Sequence, residues 1–235
     1  MKKLLIIKTG STFPSISKEY GDFEDFIINQ LDMSRDAVIV SDVLQKQTLP
    51  ELKDIYGIII TGSHSMVTDY EEWSVKLSKW LRKLMTDPVP TLGICYGHQL
   101  LADAFGGKVG YHPKGRELGE GTITVTEEGK KDKLFENMPE KFPGYVAHSQ
   151  TVLELPAGSV ILAQNDFEKH HGVLFHDKIW GVQFHPEFNA GITNLYIEET
   201  RQYLDKQGQN SDHLSEPVGE NEYGKLFLQR FMEII

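Results

Sequence analysis

The sequence predicts an α/β fold: a doubly wound, mostly parallel sheet with helices on both faces and antiparallel strands added in the second half. Three observations predict it. Short apolar runs alternate with helical stripes up to about residue 105, the rhythm changes after Gly106-Gly107, and two helical stretches close the chain.

"KKLLIIK" is an apolar run with charge at each end, the pattern of a strand buried on both faces. Phe23, Phe26, Ile27 and Leu31 then recur at helical spacing. "AVIVSDV" reads as a second strand, "LPELKDI" as a short helix, and "GIIIT" at 57–61 as a third strand. Trp73, Leu77, Trp80, Leu81 and Leu84 form a helical stripe, followed by the strand "VPTLGI" and the helix "HQLLADAF". Ligands sit at the carboxyl ends of strands in such sheets, which directs attention to Thr61-Gly62 and Ile94-Cys95. Beyond Gly107, "GTITVTEEG", "TVLELPAGS", "SVILAQND", "HGVLFHD" and "IWGVQFHPE" read as antiparallel hairpin pieces. Helices follow around 191–206 and 221–235, joined by a polar, turn-rich stretch. The expected organisation is one domain over 1–235, with a helical extension from about 190.

With 40% hydrophobic and 25% charged residues, the composition is that of an ordinary globular protein. A formal charge of −10 argues against nucleic acid and anionic membranes as partners. The single cysteine cannot form an internal disulfide. The apolar stretch Leu4–Ile7 is too short for a signal peptide, and no apolar run is long enough for a bilayer. These features set a cytoplasmic location as the expectation.

That single cysteine stands in Gly93-Ile94-Cys95-Tyr96-Gly97, a G-x-nucleophile-x-G pattern with cysteine at its centre. The physical reason for the pattern is a sharp strand-to-helix turn, in which a Cβ at either flank would collide with a neighbouring element. The helix start also aims backbone N–H groups and the positive end of the helix dipole toward the sulfur. A free cysteine is ordinarily a small core residue; the flanking glycines, between strand and helix, set this one apart.

A nucleophile needs a base, and there are nine histidines. His98 is expected along the helix flank. His112, His170, His171, His176 and His213 have polar surroundings and read as surface residues, while His64 and His148 occupy loop-like segments that could reach the site. His185 ends "IWGVQF" and opens His185-Pro186-Glu187. In extended chain, residues i and i+2 share a face, and Pro186 holds His185 extended. Glu187 can therefore take one ring nitrogen and leave the other for Cys95, the nucleophile–base–orienter arrangement. The histidine spacings match no zinc pattern, and neither a metal nor a cofactor is expected.

"GICYGHQLLADAFGGKVG" together with "GVQFHPE" resembles the class I, triad-type glutamine amidotransferase domain over roughly residues 40 to 190. The resemblance implies a flavodoxin-like sheet, with Cys95 as nucleophile, His185 as general base and acid, and Glu187 as orienter. It implies attack on a γ-glutamyl amide, a thioester on Cys95 and hydrolysis by water. Thr61-Gly62-Ser63 is similar to the family's oxyanion strand, so Gly62 and Tyr96 are the expected oxyanion donors, each worth about 3 kcal/mol of barrier. Ser63, Gln99, Ser149 and Gln150 match substrate-contacting positions. "GSHSMVTDYEEW" and "GRELGEGTITV" look most like the GMP-synthase-type branch.

The resemblance stops after Glu187, and the sequence contains no G-x-x-x-x-G-K-[ST] phosphate loop. The leading expectation is a stand-alone hydrolase of γ-glutamyl amides, with a small molecule as its partner. A second is a glutaminase subunit feeding ammonia to a separate synthetase, with 207–224 as a docking surface. A third is a binding protein that keeps the pocket without turnover.

Overall fold

The computed structural model describes residues 2–208 and 216–235. One nine-stranded sheet organises it, in the order β2-β1-β3-β4-β11-β10-β9-β6-β7. The parallel half comprises β1 (Lys3–Lys8), β2 (Val38–Asp42), β3 (Ile55–Ile60), β4 (Thr91–Ile94) and β11 (Ile179–Val182). Counting strands along the chain, this is the 2-1-3-4-5 order of the flavodoxin-like fold. The antiparallel half adds β10 (Gly172–His176), β9 (Val160–Gln164), β6 (Glu117–Val125) and β7 (Lys141–His148). A separate ribbon pairs β5 (Lys108–Tyr111) with β8 (Gln150–Glu154).

Period-two alternation in β1 decides which helix each side chain meets. Leu4 and Ile6 face the layer of α2 (Phe23–Gln30) and α6 (Tyr223–Glu233), packing with Ile27, Phe227, Leu228 and Phe231. Leu5 and Ile7 face α3 (Glu72–Leu81) and α4 (Tyr96–Ala104), packing with Leu77, Leu81, Leu100 and Leu101. A third cluster, containing Phe23, Phe26, Phe188, Ile192 and Tyr196, seats α5 (Ala190–Lys206) over the carboxyl ends of the strands.

Several sequence expectations need correction. "LPELKDI" forms only a 3-10 turn at Leu52–Asp54. β5, β7 and the helix α1 (Pro14–Tyr20) are elements beyond those expected. β11 is a hairpin partner of β10 but also the fifth parallel strand, because its other edge pairs with β4. It ends at Val182, so His185 lies beyond the strand, after a bend at Gln183 and Phe184, rather than closing it. Residues 209–215 of the polar stretch 207–224, His213 among them, lie outside the described residues. The flank that follows is anchored: Val218 N–H donates to Asn194 Oδ1 at 2.7 Å, and Tyr145 Oη donates to the Gly219 carbonyl at 2.8 Å. No described helix is long and apolar enough to cross a membrane.

Candidate active site

β4 runs straight into α4, and Cys95 makes the turn at φ 50°, ψ −99°. A side-chain-bearing residue there is strained by about 1–3 kcal/mol. The glycines on either side allow the crowding. A Cβ on Gly93 would lie 2.6 Å from the Gly97 backbone, and one on Gly97 would lie 2.6 Å from the Ile60 carbonyl oxygen. Cys95 is clamped on both sides, its N–H donating to the Val182 carbonyl at 2.8 Å and its carbonyl accepting from Gln99 N–H at 3.1 Å.

The parallel register, Val182 beside Ile94, carries the chain after β11 alongside the elbow. His185 N–H donates to the Tyr145 carbonyl at 2.8 Å, which fixes where its ring emerges. The ring stacks on Phe188 at 4.0 Å between centroids, and Phe188 stacks in turn on Tyr196. His185 Nδ1 lies 2.8 Å from Glu187 Oε1, so that nitrogen donates to the carboxylate and Nε2 faces Cys95. Burial works against charge on His185, but Glu187 and Cys95 outweigh it and push the ring up to about 10. Gly62 closes the third side: a Cβ there would lie 3.1 Å from His185 Cε1. Its carbonyl accepts from the hydroxyls of Thr9 and Thr61, at 3.0 and 2.9 Å, which fixes the plane of the Gly62–Ser63 peptide.

Cys95 opens on a cavity of about 310 Å³ that also exposes Tyr96, Gln99, Ser63, Ser149 and Gln150. The expected substrate positions therefore converge, with His185, Glu187 and Gly62 behind the sulfur. Gln99 is more committed than expected, because its Nε2 donates to the Gln150 carbonyl at 2.8 Å and to Gln183 Oε1 at 2.9 Å. Only its oxygen is left for a ligand. Gln150 donates from Nε2 to Thr68 Oγ1 at 2.6 Å, while its Oε1 is buried without a partner among the described residues. Ser63 Oγ accepts from Ser65 N–H at 3.1 Å, and Ser149 Oγ accepts from Arg116 Nε at 3.0 Å.

Other histidines depart from expectation. His98 is wholly buried against Phe175 rather than along a flank, since α4 packs on both faces. His171 is buried at the start of β10 and is not a surface residue, because Glu117 draws it inward. His148 ends β7 instead of lying in a loop. His64 and His148 both reach the cavity, but each turns to another partner, Tyr196 Oη at 3.2 Å and Glu117 Oε2 at 2.8 Å respectively. No group of three or more metal-ligating side chains could hold an ion among the described residues.

Sequence reasoning missed Arg116 and the wall supplied by α5, where Tyr196, Glu199, Thr200 and Tyr203 line the cavity. Their i, i+3, i+4, i+7 spacing marks one helical face, which was the available signal.

The family model of class-I glutamine amidotransferases matches residues 20–201. Gamma-glutamyl peptidase 5 of Arabidopsis thaliana is 30% identical over 194 residues, covering 80% of this chain and 76% of the relative. A glutamine-hydrolyzing GMP synthase subunit from Archaeoglobus fulgidus is 32% identical over 186 residues, covering 76% and 93%. The crystal structure of a glutamine amidotransferase from Thermotoga maritima superposes with a TM-score of 0.78 at 20% identity, covering 100% of this chain and 98% of the other, a likeness of fold.

Proposed function

This chain belongs to the class I glutamine amidotransferase family, and on that premise we propose that it hydrolyses the γ-glutamyl amide bond of glutamine or γ-glutamyl compounds through a thioester on Cys95. One observation carries the reading: the His185–Glu187 pair is aimed at a cysteine held in a strained, glycine-flanked turn at the floor of a cavity.

The Cys95 sulfur attacks the γ-carbonyl carbon while His185 Nε2 holds the thiol proton. The carbonyl oxygen becomes an oxyanion, stabilised by backbone N–H groups of Gly62 and of Tyr96 at the start of α4. The tetrahedral species collapses, the C–N bond breaks, and His185 returns its proton to the departing amine or ammonia. Water, deprotonated by the same nitrogen, then attacks the thioester, giving a free γ-carboxylate and regenerating the thiol. Glu187 fixes the tautomer and orientation of His185 throughout. Ser149 and Gln150, which line the cavity, would provide polar contacts for the substrate's α-groups. The gamma-glutamyl peptidase relative supports cleavage of γ-glutamyl compounds broader than glutamine.

The similarity to a GMP synthase subunit favours a second reading, delivery of ammonia to a separate synthetase. The test is a release assay over glutamine, γ-glutamyl dipeptides and γ-glutamyl amines, with Cys95→Ala as blank. Release from at least one substrate class, absent in the blank, is expected; none from any class contradicts the proposal. Glutaminase activity that rises when a copurifying partner is added would favour the second reading.

A further inference from the structure

The groups assigned to the γ-glutamyl half of the substrate line only part of the cavity. They are held by hydrogen bonds among themselves and Arg116: Gln99 Nε2 donates to the Gln150 carbonyl at 2.8 Å, and Arg116 Nε donates to Ser149 Oγ at 3.0 Å. A second part of the lining is aromatic and acidic, and no step of the proposed reaction uses it. It comes from α5 and from the residue before α1: Phe13, Tyr196, Glu199 and Tyr203.

Tyr196 marks the inner end of this surface. It is 5% exposed, with its Oη 2.8 Å from Thr12 Oγ1 and 3.2 Å from His64 Nε2. Phe13 packs edge-on against its ring at 5.2 Å between centroids. Phe188 stacks on both Tyr196 and His185, which joins this wall to the proposed base. Burial, with the charges of Glu187 and Cys95, holds the Tyr196 phenol well above its usual range against the Thr12 hydrogen bond, so the ring is within electrostatic reach of the sulfur. From there one helical face leads outward. Glu199 lies about 4.5 Å further along the axis and Tyr203 about 10.5 Å. Tyr203 is 59% exposed, so this end of the face meets solvent.

Two lining side chains other than histidine carry charge, Arg116 and Glu199. Arg116 belongs with Ser149. Glu199 Oε1 accepts from the Ser15 hydroxyl, and Glu199 has no ion-pair partner among the described residues. A serine can hold a carboxylate in place without neutralising it. His64 brings no opposing charge, because burial above all, and then the His185 charge, lowers it. Tyr196 and Tyr203 flank Glu199 on the same helical face, at i−3 and i+4. A carboxylate between aromatic rings suits an ammonium group, through a charge-assisted hydrogen bond and the ring faces. The formal charge of −10 adds long-range attraction for a cation.

We propose that this face of α5 is a leaving-group subsite that selects γ-glutamyl amides of diamines, the methylene chain lying along Phe13 and Tyr196 and the distal ammonium meeting Glu199. The inference rests on the proposed hydrolysis and narrows it to cationic leaving groups. Bonds and protons balance as before: the γ-carbonyl C–N bond breaks, the diamine leaves with the proton returned by His185, and water supplies the carboxylate oxygen. Glutamine has no tail to reach this surface, so it should be the poorer substrate.

Three conjugates of similar length that differ at the tail test it: γ-glutamyl putrescine, ending in ammonium; γ-glutamyl pentylamide, ending in methyl; and γ-glutamyl γ-aminobutyrate, ending in carboxylate. The wild-type kcat/KM should be about tenfold higher for the putrescine conjugate than for the pentylamide, and lowest for the carboxylate tail. Glu199→Gln should bring the first two together, and Glu199→Lys should favour the carboxylate tail. Equal values for ammonium and methyl tails in the wild type, or a preference that survives in Glu199→Gln, overturn the inference. Calorimetry on Cys95→Ala reads binding without turnover, and there the putrescine conjugate should bind about tenfold more tightly than the pentylamide. Equal affinities, or no binding of either, also overturn it. If the wild type cleaves none of the three while Cys95→Ala keeps the ammonium preference, the proposed hydrolysis fails and the subsite stands.

Discussion

The parallel and antiparallel halves of the sheet contribute different things to one cavity. The parallel half brings the groups proposed to react: Cys95 follows β4, Gly62 follows β3 and His185 follows β11. The antiparallel half and the separate ribbon bring polar groups that line the cavity: Arg116 immediately precedes β6, His148 ends β7, and Gln150 opens β8 of the ribbon. Backbone is crowded in both halves, at Gly97 against the Ile60 carbonyl oxygen and at Gly129 against the Leu162 carbonyl oxygen, so the halves differ in which side chains they present rather than in room. The difference teaches that damage to the parallel half should appear in kcat or in stability, and damage to the antiparallel half in KM.

The largest effect should come from the sulfur. Cys95→Ala is expected to lower hydrolysis by about 10⁴-fold or more while the protein stays folded, as judged by circular dichroism and turnover. His185→Ala should cost more rate than Glu187→Gln, since a base is worth more than its orienter; a reversed ranking would make Glu187 the proton acceptor.

Next in size are the glycines. Gly97→Ala drives a Cβ to 2.6 Å from the Ile60 carbonyl oxygen, and should cost about 3 kcal/mol in urea unfolding. Gly115, beside Arg116, has φ +90° but nothing within 4 Å of a Cβ, so Gly115→Ala should cost about 1 kcal/mol. Similar costs at the two sites would contradict crowding by the Ile60 carbonyl as the reason Gly97 is needed at the elbow. Cys95→Gly sharpens it in the opposite direction. Glycine relieves the strain at φ 50°, so this variant should gain about 1 kcal/mol while losing all activity.

A smaller effect should follow pH. The His185 ring is raised from 6.5 to about 10 in the folded protein, so its contribution to stability is complete below pH about 6.5 and declines as pH rises through about 10. The stability advantage of the wild type over His185→Gln should therefore shrink across that window. A constant or growing advantage would contradict the charge assignment.

The same contrast explains what the sequence made legible. Strands of the parallel half are buried on both faces, so Leu4–Ile7 and Ile58–Ile60 read as continuous apolar runs. The reacting groups lie in short local patterns, where glycine, cysteine, histidine and proline each have a backbone reason to be present. β7 escaped because Pro143 and Gly144 interrupt it, which its place at the sheet edge tolerates. Arg116, Glu117 and the cavity face of α5 escaped because their positions depend on tertiary pairing: residues 117 and 148 meet only through the β6–β7 register. His171 departs from expectation for the same reason, since polar neighbours in sequence became buried neighbours in space, whereas His98, expected along a flank, is buried because that flank of α4 meets Phe175.

The most direct test of the central claim is mass spectrometry of the protein mixed briefly with glutamine or a γ-glutamyl dipeptide and quenched in acid. A mass gain of one γ-glutamyl group, mapped to Cys95 and absent from Cys95→Ala, is the predicted result. Amide cleavage that proceeds with no adduct on Cys95, and at an undiminished rate in Cys95→Ala, would contradict it.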